Sequence, residues 1–177
     1  LKIEKVDRVS PTLGKEFTKQ ILYGGLFAIL AVSLIIFIRY RKLKASGALI
    51  LVSLSEVMMI LGVAAMIGWN LNMPAIAGII AAIGTGIDSQ IVIMDEARVK
   101  GESIKQQIKK ALFIIGTAFA TTFFALLPLT GMLGFLGIDA AGAGLLKGFA
   151  VTTIIGLTVG VLISRPAFAD IAKRLEE

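Results

Sequence analysis

The sequence predicts an all-α, polytopic bundle of membrane-spanning helices, and three observations carry that prediction. Of its 177 residues, 56% are hydrophobic and 17% charged, with a mean hydropathy of +0.89, whereas soluble domains run at roughly 45–50% apolar and about 25% charged. Five apolar stretches, each about 18–22 residues long, match the 30 Å hydrocarbon core of a bilayer. The basic residues gather in alternate connections, as cytoplasmic loops require. There is no Cys and no His, so thiolate and imidazole metal sites, disulfides and the usual Cys or Ser/His nucleophiles are excluded. No enzymatic activity, cofactor or metal is expected.

Residues 1–19 read as an extracytoplasmic lead into the bundle, which spans 20–168. The first span is 21–38, and its charged lead and the lack of a small-residue cleavage pattern after it argue against a cleaved signal peptide. Arg39, Arg41, Lys42 and Lys44 then mark a cytoplasmic loop before span two, 47–68. The connection 69–72 has no Lys or Arg and belongs outside, and span three, 73–94, returns. The next loop carries Arg98, Lys100, Lys105, Lys109 and Lys110. Within it, residues 103–110 have the amphipathic spacing of a helix lying on the inner membrane surface, with Ser103 as N-cap. Span four is 111–129. The outer loop 130–144 is apolar and glycine-rich, and span five is 145–164. Arg165, Lys173 and Arg174 follow it, and 169–177 is read as a cytoplasmic tail. The net charge of +6 is thus mainly a topology signal, not a nucleic-acid footprint.

Two carboxylates fall within spans, Glu56 in span two and Asp88 in span three. An acid at the bilayer centre costs about 2.5–3.5 kcal/mol on insertion scales. Counting from the cytoplasmic ends at 1.5 Å per residue places the two at similar depth. Thr121, Thr122, Thr152, Thr153, Ser89 and Gln90 extend this polar layer. Gly148, Thr152, Gly156, Gly160 and Ser164 recur every fourth residue, a stripe that lets helix backbones approach. Ala77, Ala81, Gly84, Thr85 and Asp88 share a face of span three, so spans three and five are expected to pack with Asp88 at their seam. Glycine stripes serve first as packing devices, and membrane threonines mostly bond back to their own helix. Glu56 suits a structural contact as well as a functional one. Asp88, with glycines before it and Ser89-Gln90 after it, has the room and the partners for a functional role.

The segment Gly84-Thr85-Gly86-Ile87-Asp88-Ser89-Gln90-Ile91-Val92-Ile93-Met94-Asp95-Glu96-Ala97-Arg98 resembles the fourth-helix signature of the SecD/SecF protein-export membrane proteins, within the RND superfamily. Ser10 to Phe17 resembles the segment by which SecD re-enters the membrane. Pro74 to Ile79, Ala120 to Thr122 and Lys147 to Thr152 resemble the starts or cores of the later helices, in the same order. The resemblance implies that the five spans are helices two to six of an RND-like six-helix set, with a first helix and an extracytoplasmic head preceding them. It also implies protein export across the cell membrane with SecF and the SecYE channel as partners, acting on a translocating polypeptide amid membrane lipid, and coupling to protons or sodium ions. On that basis Asp88 is the coupling acid of an ion relay with Glu56, Thr121, Thr122 and Thr152. Gly84 and Gly86 are motif glycines, and Arg98 closes the motif. Glu96, the long 130–144 loop and Glu56 depart from the bacterial pattern and point to the archaeal branch. An RND-type exporter of lipids or small molecules, and a passive scaffold, are the competing readings.

Overall fold

A computed structural model describes residues 43–99, 103–134 and 143–176, with scattered positions between 19 and 41. The expected re-entry segment before residue 19 and most of the 130–144 loop lie outside the described residues. The described elements are all helical. An apolar helix α1, Leu30–Arg39, covers part of the expected first span, the rest of which is only partly described. It is followed by α2, Leu43–Met66, then α3, Met73–Glu96, and α4, Ile104–Leu126, which ends in a 3₁₀ turn, Leu127–Thr130. Next comes α5, Ala143–Val159, which continues through a π turn, Gly160–Ser164, into α6, Arg165–Glu176. Among the described residues, four stretches are long and apolar enough to cross a membrane: Lys44–Met66, Met73–Glu96, Ile104–Thr130 and Leu146–Leu175.

Local chemistry sets the boundaries. Helix α2 stops where Gly68 turns left-handed at φ 65°, and the amides of Gly68 and Trp69 close onto the carbonyls of Ala65 and Ala64, a glycine-terminated helix end. Four residues later Asn72 caps α3, its Oδ1 accepting from the Ala75 amide at 3.0 Å, with Pro74 in the first turn where no N–H is missed. Helix α4 gives way to the 3₁₀ turn that holds Pro128, and the chain turns at Gly131, φ 74°.

Two expected boundaries are corrected. Residues 104–110 are the first two turns of α4 and not a separate surface helix, because no Gly or Pro separates them from the span. The expected tail, 169–177, begins inside α6, which packs against α2 and α3 and buries Phe168, Ala169 and Ala172 in the same core as Leu49, Met94 and Ala111. The π turn has its own cause. Pro166 cannot donate to the carbonyl four residues back, and the Arg165 amide reaches Gly160 O.

The tightest pairing is α3 against α5. Helix α4 buries only Gln107, Ala111 and Ile115 along its length. Large apolar side chains such as Met58, Phe113, Phe124 and Leu162 point outward, as they do when the surrounding solvent is lipid.

Candidate functional site

The α3–α5 seam is built from missing side chains. A Cβ at Gly78 would meet Thr152 Oγ1 and Phe149 O; one at Gly148 would meet Asn72; one at Gly156 would meet Ala82 Cβ and, at 3.0 Å, Ile60 Cδ1. Thr152 is fully buried and its hydroxyl is shared between Ala75 O across the seam at 2.7 Å and its own Gly148 O at 2.8 Å. Thr153 Oγ1 reaches Gly78 O at 3.3 Å.

Further along the same helices the seam becomes charged. Glu56 on α2 and Arg165 at the head of α6 are each 1% exposed, and Arg165 Nη1 donates to Glu56 Oε1 at 3.0 Å. Two glycines make the space. A Cβ at Gly86 would lie 3.0–3.1 Å from the Glu56 carboxylate oxygens, and one at Gly160 would fall on the Arg165 guanidinium. One helical turn away on α2 and α3, Ser53 Oγ donates to Gln90 Oε1 at 3.5 Å. Such a pair persists in a low-dielectric core because each charge answers the other; removing one partner strands the second.

Asp88 lies on the other side of this pair. It lines a cavity of about 250 Å³ with Thr85, Ser89, Thr122 and Arg165, walled by apolar side chains of α4 and α5 including Phe119 and Leu157. The hydroxyls of Thr85, Ser89 and Thr122 donate to Ala82 O, Thr85 O and Ala118 O at 2.8–2.9 Å. Their oxygens remain available to the cavity as acceptors. Together with the Asp88 carboxylate they are the polar part of an otherwise apolar lining, and both Asp88 and Thr85 are exposed.

The expected relay residues are therefore divided. Asp88 and Thr122 share the cavity, and Glu56 reaches it only through Arg165. Thr121 is exposed and bonds back to Ala118 O at 2.9 Å. Thr152 contacts Ala75, thirteen residues of α3 from Asp88, or about 20 Å at helical rise. The expected placing of Asp88 at the α3–α5 seam is corrected: that seam uses Gly78 and Ala82, Gly86 faces Glu56 on α2, and Gly84, Thr85 and Asp88 are exposed. Gly84 has open space around it, and Arg98 lies half-buried in the turn after α3, its amide on Asp95 O at 3.1 Å. Near that turn, Arg39 pairs with Asp95 at 3.2 Å and Lys110 with Glu96 at 3.5 Å; exposed pairs of this kind are worth up to about 1 kcal/mol. Arg165 itself was missed by the sequence reading. The available signal was the glycine stripe, which runs through Gly160 and Ser164 directly into it.

Residues 1–175 match the family described as protein export membrane protein SecD/SecF, C-terminal. The chain belongs to the SecD/SecF family. It is 46% identical over 176 residues to the protein-export membrane protein SecD of Methanocaldococcus jannaschii, covering 99% of this chain and 42% of that protein. The SecD of Thermococcus gammatolerans is 46% identical over 182 residues, 99% of this chain and 33% of the relative. The translocase subunit SecD of Petrotoga mobilis is 28% identical over 149 residues, 84% of this chain and 31% of its own length. The chain thus spans about a third to two-fifths of the curated SecD relatives it matches, and it is most similar to the archaeal members among these.

Proposed function

We propose that this chain is the membrane-embedded module of a SecD-type subunit that assists protein export across the cell membrane, and that Asp88 couples export to a proton or sodium gradient. The observation that carries the reading is the largely apolar cavity that Asp88 shares with Thr85, Ser89, Thr122 and the Arg165 of the Arg165–Glu56 pair. A carboxylate at that depth is expensive when charged, so binding a proton or cation there changes the relative stability of helix arrangements that differ in access to the cavity. Its immediate neighbours are Ser89, Thr85, Thr122 and Arg165; Glu56 sets the charge of Arg165 and is a relay member at one remove. Thr121 and Thr152 act as structural threonines.

In this reading the described spans belong to an RND-like six-helix set, and SecF and the SecYE channel are the partners that meet the translocating polypeptide. The basic loops lie in the cytoplasm with the C-terminus, and the start of this chain is extracytoplasmic. The test is export of a secreted reporter in cells depleted of the native protein and complemented with the full-length form at matched expression. Asp88→Asn keeps shape but cannot titrate, and it is expected to insert normally and fail to support export. Full rescue would leave Asp88 as a structural contact.

A further inference from the structure

A second cavity, of about 340 Å³, opens where the turn between α2 and α3 meets the start of α5. Trp69, Asn70 and Asn72 line it from the turn, and Gly144, Lys147 and Gly148 from α5. Its lining is mainly polar, the reverse of the Asp88 cavity. Among the described residues Lys147 is the one charged group in that lining, and no carboxylate answers it. A Cβ at Gly148 would strike Asn72 Oδ1, so the close approach of α5 to the α3 cap forms the floor. Asn72 Oδ1 is held by the Ala75 amide, which leaves the NH₂ of that side chain as a donor, beside the Asn70 amide and the Lys147 ammonium. The surroundings are those of a membrane surface. Met66, Ile67, Leu71, Met73 and Leu146, sequence neighbours of the lining residues, are 47–87% exposed, and Trp is a residue type that gathers where hydrocarbon meets water. A donor-rich, cationic pocket rimmed by apolar side chains suits a phosphate headgroup whose chains lie alongside.

We propose that this pocket binds a phosphate group, with the Lys147 ammonium as counterion and the Asn70 and Asn72 amides as further donors, and that the bound group ties the α2–α3 turn to α5 at the end of the seam where Asn72 meets Gly148. The phosphate is that of a lipid headgroup or a free ion, and the exposed apolar rim favours the headgroup. The site is separate from Asp88 and does not depend on its coupling role.

The full-length protein, stripped of lipid in detergent, is titrated with dioctanoylphosphatidylglycerol, with dioctanoylglycerol, which has the same chains and no phosphate, and with inorganic phosphate at constant ionic strength. Bound lipid is counted by native mass spectrometry and bound phosphate by ³¹P NMR. Phosphatidylglycerol is expected to bind and dioctanoylglycerol not to. Lys147→Gln is expected to weaken that binding roughly tenfold, as loss of a hydrogen bond between charged groups implies, and Lys147→Arg to retain it. Lys105→Gln, at an exposed lysine near the start of α4, should leave it unchanged. Inorganic phosphate that binds with the same dependence on Lys147 supports the site and identifies the free ion as a ligand; phosphatidylglycerol binding without it assigns the site to a headgroup. Failure of both phosphate probes to bind overturns the proposal, as do equal losses in Lys147→Gln and Lys105→Gln. So does binding that emerges only in Asp139→Asn, since the one acid of the 130–144 loop would then be the partner of Lys147.

Discussion

Glu56 and Arg165, 109 positions apart in sequence, form a 3.0 Å ion pair in which each side chain is 2% exposed. Glycines on two other segments, Gly86 on α3 and Gly160 in the π turn, open the space it occupies. One contact therefore ties α2 to α6 in space left by α3 and the π turn, and its Arg165 lines the Asp88 cavity.

Breaking that pair from one side should be severe. Glu56→Gln leaves the guanidinium, and Arg165→Gln the carboxylate, as a lone buried charge, with an expected loss of about 3–5 kcal/mol each. Thermal unfolding of the full-length protein in detergent checks this; a loss comparable to that of an exposed pair, as in Arg39→Gln, would contradict it.

Glycine positions should separate by what a Cβ meets. Gly156→Ala drives a methyl into Ala82 and Ile60 and is expected to cost about 1–3 kcal/mol. Gly116→Ala, where nothing lies within 4 Å, should be neutral or gain up to about 1 kcal/mol in helix propensity. Melting temperatures of the two variants give the comparison, and equal values would remove the case for a tight α3–α5 seam.

How much of this was legible in the sequence follows from which forces leave a pattern. The later spans are legible because lipid demands long apolar runs, and the pairing of α3 with α5 because close backbone approach demands small residues every fourth position. Which face of α3 meets α5 was not legible, since Ala77, Ala81 and Gly84 repeat as neatly as Ala75, Gly78 and Ala82. Asp88 was found by the cost of its charge, but its neighbours were not: Thr121 and Thr122 are indistinguishable by type, and only the helix rotation puts Thr122 at the cavity. A basic residue just past an apolar run reads as a cytoplasmic anchor, and Pro166 with the π turn carries Arg165 inward instead.

Threonine variants test that division. Thr152→Val removes the bond to Ala75 O and should cost about 0.6–1.7 kcal/mol of stability, with no export defect beyond it. Thr122→Val takes an acceptor out of the Asp88 cavity and should lower reporter export by a few-fold, as a bond of about 1 kcal/mol implies. Thr121→Val should match wild type in both assays. Equal export defects at 121 and 122 would argue against the cavity as the site.

Orientation is tested by labelling, which the absence of native Cys in this chain makes direct. Single Cys substitutions at Lys105 and Asn70, treated with an impermeant thiol reagent in intact cells, should label at 70 and not at 105 if the basic loops are cytoplasmic. The reverse pattern would invert the topology.

The most direct test of the coupling role is the gradient response of export itself. Translocation of a reporter into inverted membrane vesicles is measured with the ion gradient intact and after its collapse by a proton or sodium ionophore, for wild type and Asp88→Asn. The account predicts that wild-type export falls on collapse, while Asp88→Asn starts at the collapsed level and does not change. An Asp88→Asn variant that keeps the full wild-type response to the gradient would contradict it.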